Sequence, residues 1–189
     1  KNTNHSLFDK YEMIKDLGTG SSGSVTLVRH ISMDQERALK KVPKASAFAE
    51  SALSEARLLK SLEHPSIPRI FDFEEDNAFY YIVEEYIDGE TLDSFLLHQQ
   101  LISPGLFFNI CEQLCNVFIY LHTQISTPII YRDLKPEHII VCHNKLKLID
   151  FGVSAYVIQD GNNFNHYGNI EFSAPECFTE DTITRSEEH

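Results

Sequence analysis

Apolar and polar positions change rhythm several times along the chain, and each change marks an element. Over residues 7–45 they alternate, with Tyr11, Met13 and Leu17 leading into a glycine-containing turn and Thr26, Leu27 and Val28 continuing beyond it, which predicts paired strands. Residues 45–62 place Ala52, Leu53, Ala56, Leu59 and Leu62 at helical spacing among strong helix formers, and the following Pro65 disfavours helix just before it. Ile67 to Phe73 and Phe79 to Val83 are β-rich runs split by the polar turn Glu74-Glu75-Asp76-Asn77, which completes a small, mostly antiparallel sheet. Thr91 to Leu97 predicts a short helix. After Ser103-Pro104, a cap followed by proline in the first turn, a long helix is predicted. Its apolar stripe of Leu106, Phe107, Ile110, Cys111, Leu114, Val117, Phe118 and Leu121 reads as core rather than as a cofactor site.

Three brief β-rich runs follow, Ile129 to Tyr131, Ile139 to Val141 and Leu146 to Ile149, bounded by Pro, Asn or Gly. The first and last each deliver an acid into a loop, Asp133 and Asp150, seventeen residues apart. Two carboxylates with Lys135 suit chemistry on a metal-bound phosphate. In such chemistry one acid would accept a hydroxyl proton, the other would hold Mg²⁺ and the lysine would balance phosphate charge, while the same pattern equally fits a pair of acidic turns beside buried strands.

Composition narrows the picture further. The 189 residues fit one or two domains, and 42% hydrophobic with 11% aromatic residues suffice for a core. A formal net charge of -12 argues against nucleic-acid or anionic-membrane partners, which want a basic face. No apolar run is long enough for a membrane span, and the start Lys1-Asn2-Thr3-Asn4-His5 has no signal-peptide core. Because residue 1 is not Met, the true N-terminus is expected to lie further upstream. Cys111, Cys115, Cys142 and Cys177 form no CxxC pair, and the first two are read as reduced, buried small hydrophobes of a cytosolic protein.

The residues themselves then point to a family. Tyr131-Arg132-Asp133-Leu134-Lys135-Pro136-Glu137-His138 resembles the catalytic loop of eukaryotic-type (Hanks-type) protein kinases, and Asp150-Phe151-Gly152 resembles their metal-binding triplet. Gly18-Thr19-Gly20-Ser21-Ser22-Gly23-Ser24-Val25 is followed by strand. A dinucleotide fold would place a helix there and a P-loop a Lys-Ser/Thr, so the context is that of the kinase glycine loop. Arg37-Ala38-Leu39-Lys40, whose lysine lies fifteen residues after Val25, is similar to the family's Val-Ala-Ile-Lys.

The resemblance implies an α+β, protein-kinase-like bilobal fold. Residues 1–87 would form an N-lobe of antiparallel sheet plus one helix, and residues 88–189 the first part of a mainly helical, incomplete C-lobe. It implies that Lys40, paired with Glu55, binds phosphates of ATP, and that Leu17, Gly18, Gly20, Gly23, Val25, Ala38 and Ile140 surround the nucleotide. Glu84 to Glu90 resembles the hinge between kinase lobes, with Glu85 and Ile87 backbone on adenine and Glu90 toward ribose. Glu84 falls at the gatekeeper position, where an apolar or Thr side chain is more usual. A carboxylate there needs a partner, for which Lys40 or a hydroxyl competes. Leu59, Ile70, Tyr131 and Phe151 would stack as an apolar spine, and Gly168 to Glu176 resembles the end of an activation segment, closing on Ala174-Pro175-Glu176.

The implied function is ATP-dependent phosphorylation of Ser/Thr hydroxyls on protein substrates. Asp133 is then the base, Lys135 the γ-phosphate partner and Asp150 the Mg²⁺ ligand. No nucleic acid and no membrane partner is expected for this segment, self-association follows if the C-lobe is incomplete, and the location is cytoplasmic. Two residues depart from the pattern. His138 replaces the asparagine that is the second metal ligand, and imidazole nitrogen suits Mn²⁺ better than hard Mg²⁺. Asn169 stands where Ser/Thr kinases place a threonine, and with no threonine in the preceding loop, activation without loop phosphorylation is expected. The alternative is a pseudokinase, a nucleotide-binding regulatory or scaffold module with little phosphotransfer.

Overall fold

A computed structural model of the chain describes residues 6–20, 23–98, 102–124, 126–156 and 171–172. Tyr167, Asn169, Cys177 and the Ala174-Pro175-Glu176 triplet lie outside them. The chain divides into two compact units, residues 1–63 with 68–87, and residues 64–67 with 88–189.

The first unit opens with a single helical turn, α1 (Leu7–Lys10), which alternation did not predict. Its cause is local: the Ser6 hydroxyl accepts from the Phe8 amide, and Asp9 accepts from the Ser6 amide at 3.0 Å, a reciprocal capping box. Strands β1 (Tyr11–Gly20), β2 (Gly23–His30) and β3 (Gln35–Pro43), helix α2 (Ala49–Lys60), then β4 (Ile70–Glu75) and β5 (Phe79–Glu85) follow. The strands form one antiparallel sheet in the order β1-β2-β3-β5-β4.

Helix α2 starts at Ala49, later than the apolar spacing from Ala45 predicts. Ser46 takes the chain into a turn instead. Its amide donates to the Pro43 carbonyl at 2.9 Å and its hydroxyl accepts from the Phe48 amide at 3.2 Å, local bonds that compete with helix.

Register decides which side chains meet on each face of the sheet. Leu7, Tyr11, Val28, Leu39, Tyr81 and Val83 make the core on one side. On the other, Val42 and Ile82 pack on Ala49, Ala52 and Ala56 of α2. Directly opposed residues share a face, so Val25, Lys40 and Ile82, and two residues along Leu27, Ala38 and Glu84, all lie on the α2 side.

The second unit contains β6 (Glu90–Thr91), α3 (Leu92–His98), α4 (Pro104–Ile119), a π-helical turn over Tyr120–Gln124, β7 (Ile129–Ile130), a 3₁₀ turn over Pro136–His138, β8 (Ile139–Cys142), β9 (Lys145–Leu148) and β10 (Ala155–Tyr156). Strands β6, β8 and β9 form one small sheet in that order, and β7 pairs with β10. The β8–β9 hairpin turns on His143 and Asn144, both left-handed at φ 47° and 64°, as a two-residue primed turn requires. Ser103 caps α4 as predicted, accepting from the Leu106 amide at 3.2 Å.

Gln113 of α4 ties this hairpin down from its open side. Its Nε2 donates to the Asn144 carbonyl at 2.9 Å and its Oε1 accepts from the Leu146 amide at 3.0 Å. The Leu148 amide donates to the Ser66 carbonyl at 2.8 Å.

The apolar stripe of α4 is covered only in part. Ile110, Val117, Phe118 and the following Leu121 are buried. Phe107 is 53% exposed. Cys115 is also exposed and Cys111 half-buried, which corrects the expectation that both cysteines are core residues. The helix packs through β9 and, by an edge-on contact of Phe118 with Tyr131 at 6.4 Å, through the segment after β7; among the described residues these cover one side of it. No helix among the described residues is long and apolar enough to cross a membrane.

Candidate active site

Each unit carries its own part of the motif set. In the first, Lys40 of β3 meets Glu55 of α2 at 3.1 Å, the two side chains 19% and 12% exposed. Partial burial makes such a charge-assisted bond stronger than a surface pair and holds the lysine in one place. Glu84 lies on the same face, two residues along the register from the Ile82 that opposes Lys40. Burial pushes its carboxyl up to about 7; Lys40 opposes that rise and Glu55 adds to it.

The glycine loop bends where no side chain fits. Gly18 and Gly23 stand at φ 143° and 144°, and a Cβ on Gly23 would lie 2.1 Å from the Lys41 carbonyl oxygen. No atom beyond the chain neighbours lies within 4 Å of a Cβ built on Gly18 or Gly20. Ala38 is buried, Val25 half-buried and Leu17 38% exposed. The Glu85 amide is already bonded to the Arg69 carbonyl at 2.9 Å, so any contact of Glu85 backbone with a base falls to its carbonyl. Ile87 is half-buried at the end of the unit.

In the second unit the two acid-bearing loops come together. Lys135 donates to Asp133 at 3.0 Å. His138, at the end of the 3₁₀ turn, sits between the acids: Nδ1 lies 3.0 Å from the Asp133 carbonyl oxygen and 3.3 Å from Asp133 Oδ2, and Nε2 lies 3.3 Å from Asp150 Oδ2. Both neighbours of Nδ1 are acceptors, so Nδ1 carries the ring proton. In the neutral ring Nε2 then turns a lone pair toward a carboxylate. A metal ion placed between ring nitrogen and carboxylate would satisfy both.

The backbone here is strained at two non-glycine residues, Arg132 at φ 74° and Asp150 at φ 60°. Packing holds both in place. The buried Tyr131 and Phe151 rings meet edge-on at 5.0 Å, and the Tyr131 hydroxyl donates to the Ile149 carbonyl. Ser154 Oγ donates to the Tyr131 carbonyl at 3.0 Å, and Asp150 Oδ1 accepts from the Gly152 amide at 3.3 Å. Of the predicted apolar spine, Tyr131 and Phe151 therefore pack together, while Leu59 and Ile70 belong to the first unit.

The remaining predicted residues have neighbours of their own. Ile140, half-buried on β8, opposes Thr91, and Glu90 binds His98 Nδ1 at 3.0 Å. The links made by Tyr131, Ser154 and Gln113 are not legible in the sequence, because a single hydroxyl or amide carries no periodic signal.

The donor set fits a divalent cation as a half-site. Asp150 is 54% exposed on its side chain and shares its approach with His138 Nε2, while the two ring nitrogens of His138 face opposite ways. Consistently, no three His, Cys, Asp or Glu side chains among the described residues are grouped to hold an ion unaided. Water and phosphate oxygens would complete such a shell.

The family model for the protein kinase domain matches residues 11–188, and the chain belongs to that family. Among similar curated proteins, serine/threonine-protein kinase PrkC of Bacillus subtilis is 30% identical over 176 residues, 88% of this chain and 26% of that protein. Serine/threonine-protein kinase ppk25 of Schizosaccharomyces pombe is 34% identical, over 86% of this chain and 39% of its own length. Calcium-dependent protein kinase 4 of Plasmodium falciparum is 33% identical, over 93% of this chain and 34% of its own length. The chain thus spans between about a quarter and two-fifths of these relatives.

Proposed function

We propose that the protein transfers the γ-phosphate of ATP to Ser or Thr hydroxyls of protein substrates. The observation that carries this reading is the cluster in which Asp133 is held by Lys135 at 3.0 Å and joined to Asp150 through the His138 ring. Asp133 accepts the hydroxyl proton of the substrate, and Lys135, beside it, offsets the negative charge that gathers as phosphoryl oxygens approach. Lys40, fixed by Glu55, binds phosphate oxygens, and the glycine loop offers backbone amides to them. ATP would supply the phosphoryl group, and Asp150 and His138 would hold a divalent ion that offsets its charge. Lysine two residues after Asp133, followed by Pro136, and relatives named as Ser/Thr kinases favour the Ser/Thr over the Tyr class.

A second reading rests on the same ring. With Nδ1 held by Asp133 and Nε2 facing Asp150, His138 can occupy the acids itself, and the protein then binds nucleotide as a pseudokinase without transferring phosphate. Incorporation of label from γ-labelled ATP into a protein substrate, with Mg²⁺ and Mn²⁺ in parallel and Asp133→Asn as control, separates the two. Transfer lost in the control establishes the kinase. Nucleotide binding without incorporation in either metal establishes the pseudokinase.

A further inference from the structure

Lys40 shares one face of the sheet with two carboxyls. Glu55 holds its ammonium at 3.1 Å, and Glu84 joins the same face because Ala38 opposes Glu84 while Lys40 opposes Ile82. On the other flank, β4 sets uncharged Ile70 opposite Glu84, and the acid of β4 further along that face, Glu75, is held by Lys44 at 2.6 Å. Along β3 the same face carries Glu36, which is exposed. Among the described residues the Glu84 carboxyl makes no hydrogen bond or ion pair of its own, and its electrostatic neighbours are Lys40 and Glu55. One ammonium thus stands on a half-buried face with two acids, paired to Glu55 and acting on Glu84 through space.

We infer that Glu84 is a positioning residue for Lys40 and that nucleotide binding loads a proton onto it, an inference resting on the reading that Lys40 receives the nucleotide's phosphates. Phosphate oxygens draw on the ammonium, so Glu84 loses the one neighbour that favours its ionised form and keeps Glu55, which disfavours it. Its carboxylate then takes a proton from solvent, forming one O–H bond and breaking none within the protein. The neutral acid needs no counter-charge, so Lys40 serves the phosphates without stranding a buried anion behind it. The carboxyl is already near neutrality, at about 7, so uptake falls in the working range of pH. An apolar or Thr side chain at this position has no proton to exchange.

Titration calorimetry of the whole chain with ATP and Mg²⁺ at pH 7, in buffers of different protonation heat, counts the protons. Wild type is expected to take up about half a proton more per nucleotide than Glu84→Gln, and its affinity to weaken about threefold more than the variant's from pH 6.5 to 7.5. Carboxyl-carbon NMR of wild type gives a reading that does not depend on the variant's folding. The Glu84 midpoint moves upward when nucleotide binds. Equal proton counts for the two proteins, or an unmoved midpoint with nucleotide bound, overturn the inference alone. Absence of nucleotide binding by wild type overturns the inference together with the ATP reading.

Discussion

His138 Nε2 faces Asp150 Oδ2 at 3.3 Å while Nδ1 is committed to Asp133, so a divalent ion held as proposed would take both the ring nitrogen and the carboxylate oxygen as ligands. Imidazole nitrogen binds Mn²⁺ better than Mg²⁺, whereas an amide oxygen at the same place suits the harder ion. His138→Asn is therefore expected to raise Mg²⁺-supported phosphotransfer by about tenfold and to lower the Mn²⁺/Mg²⁺ activity ratio. Steady-state label transfer in each metal checks this. A variant no faster than wild type in Mg²⁺ would show that the ring is not the obstacle.

Lys40 and Glu55 make a sheltered ion pair in the sheet unit, and in the proposed function the lysine meets phosphate. Glu55→Gln keeps a weak hydrogen bond and removes the charge that fixes the lysine. A drop of about ten- to a hundredfold in kcat/KM for ATP is expected, with little change in folding. An unchanged kcat/KM would separate Glu55 from the site.

Glu84 also shapes stability. Its carboxyl ionises near pH 7 in the folded chain and near 4.5 in the unfolded one. Between those values the folded state holds a proton that the unfolded state has released, so the contribution of Glu84 to stability is greatest below 4.5, declines as pH rises toward 7 and then levels off. The loss amounts to roughly 3 kcal/mol. Urea unfolding at pH 5 and pH 8 should show Glu84→Gln without this decline, and equal slopes for both proteins would refute the assignment.

Tyr131 joins the two acid-bearing loops by ring and hydroxyl at once. Tyr131→Phe keeps the edge-on contact with Phe151 and strands the Ile149 carbonyl, a loss of about 1–2 kcal/mol. Tyr131→Ala empties a fully buried site and should lose about 3–5 kcal/mol. Denaturant midpoints that fail to rank in this order would disprove the account.

Much of the fold is legible in the sequence because it rests on periodicity. The strand alternation from Tyr11 to Val28, the apolar spacing of α2 and the Ser103-Pro104 cap each predict an element that forms. Local polar chemistry is harder to read: Ser6 and Asp9 build a turn within an alternating stretch, and Ser46 delays a helix that composition would start at Ala45. The exposure of Phe107 and Cys115 was illegible for a different reason, since a stripe says that a face is apolar and not what covers it. Motif spacing singles out Lys40, Glu55, Asp133 and Asp150. That the His138 ring faces both acids depends on a turn of three residues, and no spacing rule conveys the direction of a ring.

Gln113 has a consequence beyond anchoring a hairpin. Strand β9 is the outermost of its small sheet, and such a strand normally offers its amides and carbonyls as a template for any passing extended chain. Here a glutamine amide, shaped like a peptide group, takes the Leu146 amide and the Asn144 carbonyl, and the Ser66 carbonyl takes the Leu148 amide. The rim of the sheet is occupied by groups that cannot themselves propagate pairing. The strand that leads into Asp150 is thereby kept from seeding polymer growth, and its last residues are free to bend away into the loop.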